Sequence, residues 1–347
     1  MTSAARVAVI GATGYVGFEL AKLLLRHPRM NTPLFFLRNG ARADEHVRCL
    51  ADLFPHLRGW GEAPCYPFSV EAVAASGVDV ALLATPHEAS LALVPELLAA
   101  GLRVVDLSGA FRFRDGQTFR RWYHLPAPDA TWTQQAVYGL PELYAEGLPQ
   151  ARLVANPGCY PTAVILALRP LRDAGWIAAE RGIVCDCKSG VTGAGKEPKR
   201  ETHFVEVDEN FRAYNVFQHR HTPEILEHTG FDPRTLVFTT HLLPIARGIL
   251  ATLYVWLNAP RRSEEIEALY RQFYAGRPMV RIWPAGHLPE IQHVAGTNFC
   301  DLGFVLDADG ERLVLVSCLD NLGKGAAGQA VQNLNHMLHY PEDTGLR

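Results

Sequence analysis

The stretch Arg6-Val7-Ala8-Val9-Ile10-Gly11-Ala12-Thr13-Gly14-Tyr15-Val16-Gly17 decides the fold. Arg6 to Ile10 reads as a buried strand, and three spaced glycines follow at once. Phe18 to His27 then reads as a helix with Leu20, Leu23 and Leu24 on one face, closed by Pro28. Strand, glycine turn, helix is the opening of a dinucleotide-binding βαβ unit, in which backbone N–H groups at a helix N-terminus face a pyrophosphate. The spacing is G-x-x-G-x-x-G, not the commoner G-x-G-x-x-G, so a tight turn without a ligand is the competing reading. Gly11, Thr13, Gly14, Tyr15, Val16 and Gly17 are the candidate cofactor contacts of this turn.

A second strand, Leu34 to Leu37, runs into Arg38-Asn39-Gly40-Ala41-Arg42. NAD sites usually place an acid there to hold the ribose hydroxyls. An arginine instead pairs with a 2′-phosphate, which favours NADP(H), with Arg38 ahead of Arg42; a solvated basic loop is the alternative. Further strands are expected at Val78 to Ala84 and Arg103 to Asp106, with a helix from Ser90 to Ala100 ended by Gly101. This alternation implies a mostly parallel sheet covered on both faces.

The pattern changes after about residue 150. A helix over Tyr160 to Ala174 precedes strands at Gly182 to Lys188, Leu236 to Leu243, Ile249 to Leu257 and Arg312 to Cys318, longer and more alternating, as in a mixed or antiparallel sheet. A last helix, Ala326 to Leu338, returns to the first domain. The expected fold is α/β: a Rossmann-like NADP-binding domain (1–157 and 325–347) and an α+β domain for substrate and oligomerisation (158–324). The cleft between them is the default site.

Composition narrows the function. The chain has 347 residues, 48% hydrophobic and 20% charged, as in a globular protein with a sizeable core. Lys plus Arg is 33 against 36 Asp plus Glu, a net charge of -3, which is not the footprint of a nucleic-acid binder. The longest apolar stretch, Leu153 to Leu168, is interrupted by Asn156-Pro157-Gly158, so no membrane span is expected. The seven cysteines are odd in number and scattered, unlike a disulfide framework, and they suit a reducing cytoplasm. Cys185 and Cys187 alternate along an apolar run and lack a second ligand pair, so they are read as core residues of a strand, not as metal ligands.

Asn156-Pro157-Gly158-Cys159-Tyr160-Pro161-Thr162 places one cysteine between a Pro-Gly turn and a helix start. A helix N-terminus favours the thiolate, which is how a nucleophilic cysteine is prepared. This segment, from Val154 to Ala163 and on to Pro170, resembles the active-site signature of the N-acetyl-γ-glutamyl-phosphate reductases, which form N-acetylglutamate semialdehyde in arginine biosynthesis. The resemblance spans nearly the whole chain. It includes Gly11 to Gly17, Asp106 to Arg112, Tyr138 to Glu142, Ser189 to Lys196, His219 to Glu224, Pro244 to Gly248 and Asp320 to Gly325. It implies a second domain of the type that closes glyceraldehyde-3-phosphate dehydrogenases, and a homo-oligomer, dimer or tetramer.

The resemblance also implies the chemistry. Cys159 attacks an acyl phosphate, phosphate leaves, and the thioester is reduced by NADPH to the aldehyde. The catalytic histidine carries over to His219, with His221 as its competitor and as a substrate contact. Arg112 is assigned the phosphate. Arg247 and Lys196 are candidate substrate cations, or else salt-bridge partners. Ser189 and Gly190 approach the cofactor through backbone N–H groups, and Asn321 meets the nicotinamide amide. His87 either lines the nicotinamide side or is a plain loop residue, while His27 and His339 read as surface residues. Gly109-Ala110 stands where many members have Ala-Asp, and Arg58 to Pro67 has no evident counterpart; both leave loop geometry open. The rivals are a reductase of carrier-protein-linked aminoadipyl or glutamyl phosphate in lysine biosynthesis, an aspartate-semialdehyde dehydrogenase, a non-catalytic NADPH-binding regulator and a thiol hydrolase.

Overall fold

The computed structural model describes residues 4–37 and 49–347. Arg38 and Arg42 lie outside the described residues. The chain forms two compact units, Met1–Pro157 with Ala326–Arg347, and Gly158–Gly325.

The first unit is built on seven strands: β1 (Val7–Ile10), β2 (Leu34–Leu37), β3 (Cys65–Pro67), β4 (Val80–Leu83), β5 (Arg103–Asp106), β6 (Val137–Tyr138) and β7 (Leu153–Ala155). They pair in the order β3-β2-β1-β4-β5-β7-β6, every pair parallel. β1 and β4 are buried along their whole length, the signature of strands covered on both faces. The chain moves outward from β1 to β3 on one side and from β4 to β6 on the other. The carboxyl ends of β1 and β4 therefore flank the topological switch point, where ligands bind in such sheets.

Helix α1 (Tyr15–Leu25) starts three residues before the expected Phe18, because Gly14 already serves as its N-cap. Leu20 and Leu24 are buried as read. Helix α2 (His87–Ala99) likewise starts earlier than Ser90, and Gly101 follows it at φ +87°.

The second unit holds helix α3 (Cys159–Asp173) against the strands β8 (Ile183–Gly190), β9 (Arg212–Tyr214), β10 (Leu236–Leu243), β11 (Ile249–Trp256), β12 (Val280–Ile282), β13 (Cys300–Leu306) and β14 (Arg312–Leu319). Their order is β12-β13-β14-β11-β8-β10-β9, with parallel and antiparallel pairs mixed. β10, β11 and most of β8 alternate buried and more exposed residues, so one face of this sheet meets the core. Cys185 and Cys187 share the buried face of β8.

Helix α3 is buried on nearly every side, with Ala163, Val164, Ile165, Leu166 and Leu168 inaccessible or nearly so. Each of the valine, isoleucine and leucine side chains contributes roughly 1.5–3 kcal/mol through burial. Pro170 lies inside the helix and has no N–H to give Leu166. The Tyr274 hydroxyl replaces that donor on the Leu166 carbonyl at 2.5 Å, and the Tyr270 hydroxyl bonds the next carbonyl, Ala167, at 2.5 Å. Helix α3 therefore continues through its proline.

A π-helical turn, Gly323–Ala327, and helix α4 (Gly328–Met337) lead the chain back into the first unit. Asn333 on α4 donates to the Gly139 carbonyl at 2.8 Å and to Asn156 at 2.9 Å. His27 is buried, not on the surface: Asn335 of α4 bonds it at 3.0 Å and Tyr340 stacks on it.

Candidate active site

In the first unit the glycine turn is shaped by close approach. Gly11 sits at φ +87°, and a Cβ there would lie 2.6 Å from the Ala84 carbonyl oxygen just past β4. A Cβ on Gly17 would lie 2.5 Å from the Gly11 oxygen. The turn thus folds back onto its own helix and leaves Gly14 facing open space at the α1 N-terminus. A pyrophosphate needs this kind of cradle, with bare backbone N–H groups and no side chain in the way.

The segment after β5 carries Arg112. Asp106, at the end of β5, is fully buried and accepts hydrogen bonds from the Ser90 hydroxyl (2.8 Å), the Ser108 hydroxyl (2.7 Å) and the Ser108 N–H (3.1 Å). Burial pushes its carboxyl pKa up, while the Ser108 and Ser90 hydrogen bonds and the Arg112 charge oppose the shift. The Arg112 guanidinium donates to the carbonyls of Asn156 (2.8 Å) and Leu107 (3.0 Å). His87, the first residue of α2, accepts the Gly109 N–H on Nδ1 at 2.9 Å and meets the Tyr123 ring edge-on. This ring accounts for Gly109: a larger residue would strike Tyr123.

In the second unit Cys159 is the first residue of α3 and is partly accessible. By contrast Cys185, Cys187, Cys300 and Cys318 are buried, and burial pushes the thiol pKa of Cys185, Cys187 and Cys318 up. The N-cap, Gly158, donates its N–H to Glu224 Oε1 at 2.8 Å. Glu224 is fully buried in the first turn of a helix, Thr222–Thr229. His221 packs against the same residue, since a Cβ on Gly158 would lie 2.5 Å from its Nε2. On the other flank a Cβ on Gly325 would lie 2.7 Å from the Cys159 Cβ.

His219 stacks at a tilt on His221, ring centroids 4.8 Å apart. Tyr160, Tyr214 and Phe238 surround it at 5.5, 5.6 and 5.5 Å. Burial, reinforced by the Arg220 charge, lowers its pKa to about 4. The Tyr160 and Tyr214 hydroxyls share a hydrogen bond of 3.1 Å. Burial raises both phenols, Tyr214 to about 12.

The remaining candidates divide. Asn321 accepts the Gly248 N–H at 2.7 Å and donates to Thr192 Oγ1 at 2.9 Å, so its amide brackets two loops of its own unit. Arg247 pairs with buried Asp320 at 2.8 Å. Ser189 and Gly190 end β8 instead of opening a loop. The Gly190, Val191 and Thr192 N–H groups donate to the carbonyls of Gly248, Ile245 and Ala246. These N–H groups are taken up within the unit, so the expected approach of Gly190 to the cofactor through its backbone N–H is corrected. Lys196 is exposed beyond them. Sequence reasoning gave no role to Glu224, Tyr160, Tyr214 or Asp106. Glu224 alone carried a local signal, an acid in the first turn of a helix three residues after the histidine pair.

Two family models cover the chain: "Semialdehyde dehydrogenase, NAD binding domain" over residues 6–151 and "Semialdehyde dehydrogenase, dimerisation domain" over residues 159–321. The N-acetyl-gamma-glutamyl-phosphate reductase of Symbiobacterium thermophilum is 47% identical over 98% of this chain and 97% of its own length. The enzyme of the same name from Geobacter sulfurreducens is 44% identical with the same coverage. This chain belongs to the N-acetyl-γ-glutamyl-phosphate reductase family of semialdehyde dehydrogenases.

Among solved structures the fold matches aspartate semialdehyde dehydrogenase II of Vibrio cholerae with TM-score 0.72 and 19% identity, covering 96% of this chain and 98% of that one. It also matches the aspartate semialdehyde dehydrogenase of Candida albicans, solved with NADP, with TM-score 0.70 and 15% identity over 99% and 100%. At these identities the match bears on the fold alone. The two-domain expectation, Rossmann-like sheet and mixed-sheet partner, stands.

Proposed function

We propose that the protein reduces N-acetyl-γ-glutamyl phosphate to N-acetylglutamate 5-semialdehyde in arginine biosynthesis, with NADPH as reductant. The observation that carries this is an accessible cysteine at a helix start, with a histidine pair beside its N-cap, in a chain of this family. The Cys159 thiol attacks the acyl carbon, the acyl–oxygen bond breaks, and phosphate departs with the thiol proton. The acyl group is then held as a thioester on Sγ. Glu224, through the Gly158 N–H, fixes the start of the helix that aims Sγ. His219 and His221 serve the reacting oxygen. Arg112, whose guanidinium is oriented by two carbonyls, suits the phosphate.

The Gly11–Gly17 cradle fits the cofactor, with Thr13, Gly14, Tyr15 and Val16 at the pyrophosphate and Arg38 at the 2′-phosphate. When bound, NADPH supplies the hydride. The half-open face of the β8–β10–β11 sheet, in a domain whose family model is described as a dimerisation domain, supports a homo-oligomer. Seven free cysteines support a reducing, cytoplasmic setting. The carrier-linked alternative gains no support from the named relatives.

The test runs the reaction backwards: purified protein, N-acetylglutamate semialdehyde, phosphate and NADP, followed by absorbance of the reduced cofactor. Phosphate-dependent reduction of NADP is expected. No signal from protein that still binds NADPH would refute the substrate.

A further inference from the structure

The stretch from Ser108 to Phe113 is buried yet is neither helix nor strand. Its backbone N–H groups therefore need side-chain partners. Asp106 takes the first, the Ser108 N–H, on Oδ1 at 3.1 Å. His87 Nδ1 takes the second, the Gly109 N–H, at 2.9 Å. The third, the Ala110 N–H, goes to Ser108 Oγ at 3.1 Å. Asp106 Oδ2 accepts that hydroxyl's own proton at 2.7 Å, which turns its lone pairs toward Ala110.

The same residue reaches Arg112 by a second route. The Asp106 carbonyl accepts the Asn156 N–H at 2.8 Å. Asn156, and Leu107 next to Asp106 in the chain, supply the two carbonyls that orient the Arg112 guanidinium. A guanidinium is a rigid fork, and it grips a phosphate bidentately only where its direction matches. Ser90 gives the inaccessible Asp106 carboxylate its third hydrogen bond, at 2.8 Å. A carboxylate kept from water is costly even with such bonds, and packing alone would be met by an apolar residue.

We propose that Asp106 is the positioning residue of the phosphate site. It touches no substrate; its carboxylate shapes the segment that delivers Arg112 and so sets the direction of the guanidinium. This rests on the reading above that Arg112 takes the phosphate.

Inorganic phosphate titrated against the whole protein by ³¹P NMR reads this without turnover, and the phosphate KM of the reverse reaction reads it with turnover. R112A comes first. Phosphate affinity like wild type in R112A would refute the Arg112 reading, and the proposal with it. With R112A impaired, D106N, which removes one acceptor and the charge, should raise the phosphate Kd about tenfold with NADPH affinity near wild type. Added to R112A, the same change should cost less than about twofold more, because it acts through a fork no longer present. Wild-type phosphate affinity in D106N, or losses that add in the double variant, would overturn the proposal. Should D106N fail to fold, S108A and S90A decide it. Each removes one hydroxyl bond to Asp106 and should lower Tm, but S108A alone should weaken phosphate. Equal phosphate losses in the two would make Asp106 a structural support and nothing more.

Discussion

The glycine turn at Gly11–Gly17 and the cysteine–histidine cluster are both tight, and they are built by opposite means. The turn is assembled from neighbours in sequence, and its shape comes from side chains that are missing. The cluster is assembled across the chain: Gly158 and Glu224 are 66 residues apart and meet through one buried hydrogen bond. Local absence is visible in a sequence. Long-range placement is not, because it depends on which strands pair.

The largest effect is expected at the cluster's centre. C159S should lower kcat by at least about 10⁴ while NADPH binding, measured by fluorescence titration, stays near wild type. Loss of both together would mean that the turn and the cluster are not separable. G17V should do the reverse. Its side chain would strike backbone, so NADPH affinity should fall tenfold or more, equivalent to roughly 1.4 kcal/mol, with the accessibility of Cys159 to a thiol reagent unchanged; an unchanged Kd would remove the turn from cofactor binding.

R38A should weaken NADPH severalfold and leave NADH alone, and equal losses would end the 2′-phosphate role. E224A orphans a buried N–H, a cost of about 1–3 kcal/mol. Its Tm should drop and kcat should fall about tenfold, with E224Q between it and wild type. An E224A protein with unaltered Tm and kcat would show that the Gly158 bond positions nothing.

The smallest effect is in stability against pH. Burial, aided by Arg29, holds the His27 imidazole below its ordinary value, although Asn335 and Thr344 pull the other way. As pH falls below about 6.5, the unfolded chain takes up a proton that the folded chain resists, so folded His27 is increasingly penalised. The Tm advantage of wild type over H27Q should therefore shrink between pH 6.5 and 4.5. A constant difference would mean that His27 titrates normally in the fold.

Much of the first unit was legible. Strands Leu34–Leu37 and Arg103–Asp106 fall where their apolar runs place them, because a strand buried on both faces needs only continuous hydrophobicity. Strand β13 escaped, since its run contains Asp301. That carboxylate is buried because Arg281 and Trp283 bond it at 2.6–3.0 Å from elsewhere in the unit. His27 was misplaced for the same reason: the residues that cover it, Asn335 and Tyr340, lie at the far end of the chain. At the site, Cys159 was legible from its turn and helix start. Tyr214 and Phe238 were not, because their position beside His219 is set by the pairing of β9 with β10.

The chain leaves the first unit at Pro157 and re-enters it at Ala326, so helix α4, buried on nearly every face, is made only after the whole second unit. At about 5–20 residues per second, roughly 10–30 seconds of synthesis separate the two halves of that unit. Throughout that interval the emerging sheet has no Asn333 to bond Gly139 and Asn156, and the His27 pocket has no Asn335. A ribosome-bound chain therefore carries a cofactor fold that is incomplete until helix α4 emerges, and that interval is where a chaperone would have most to hold.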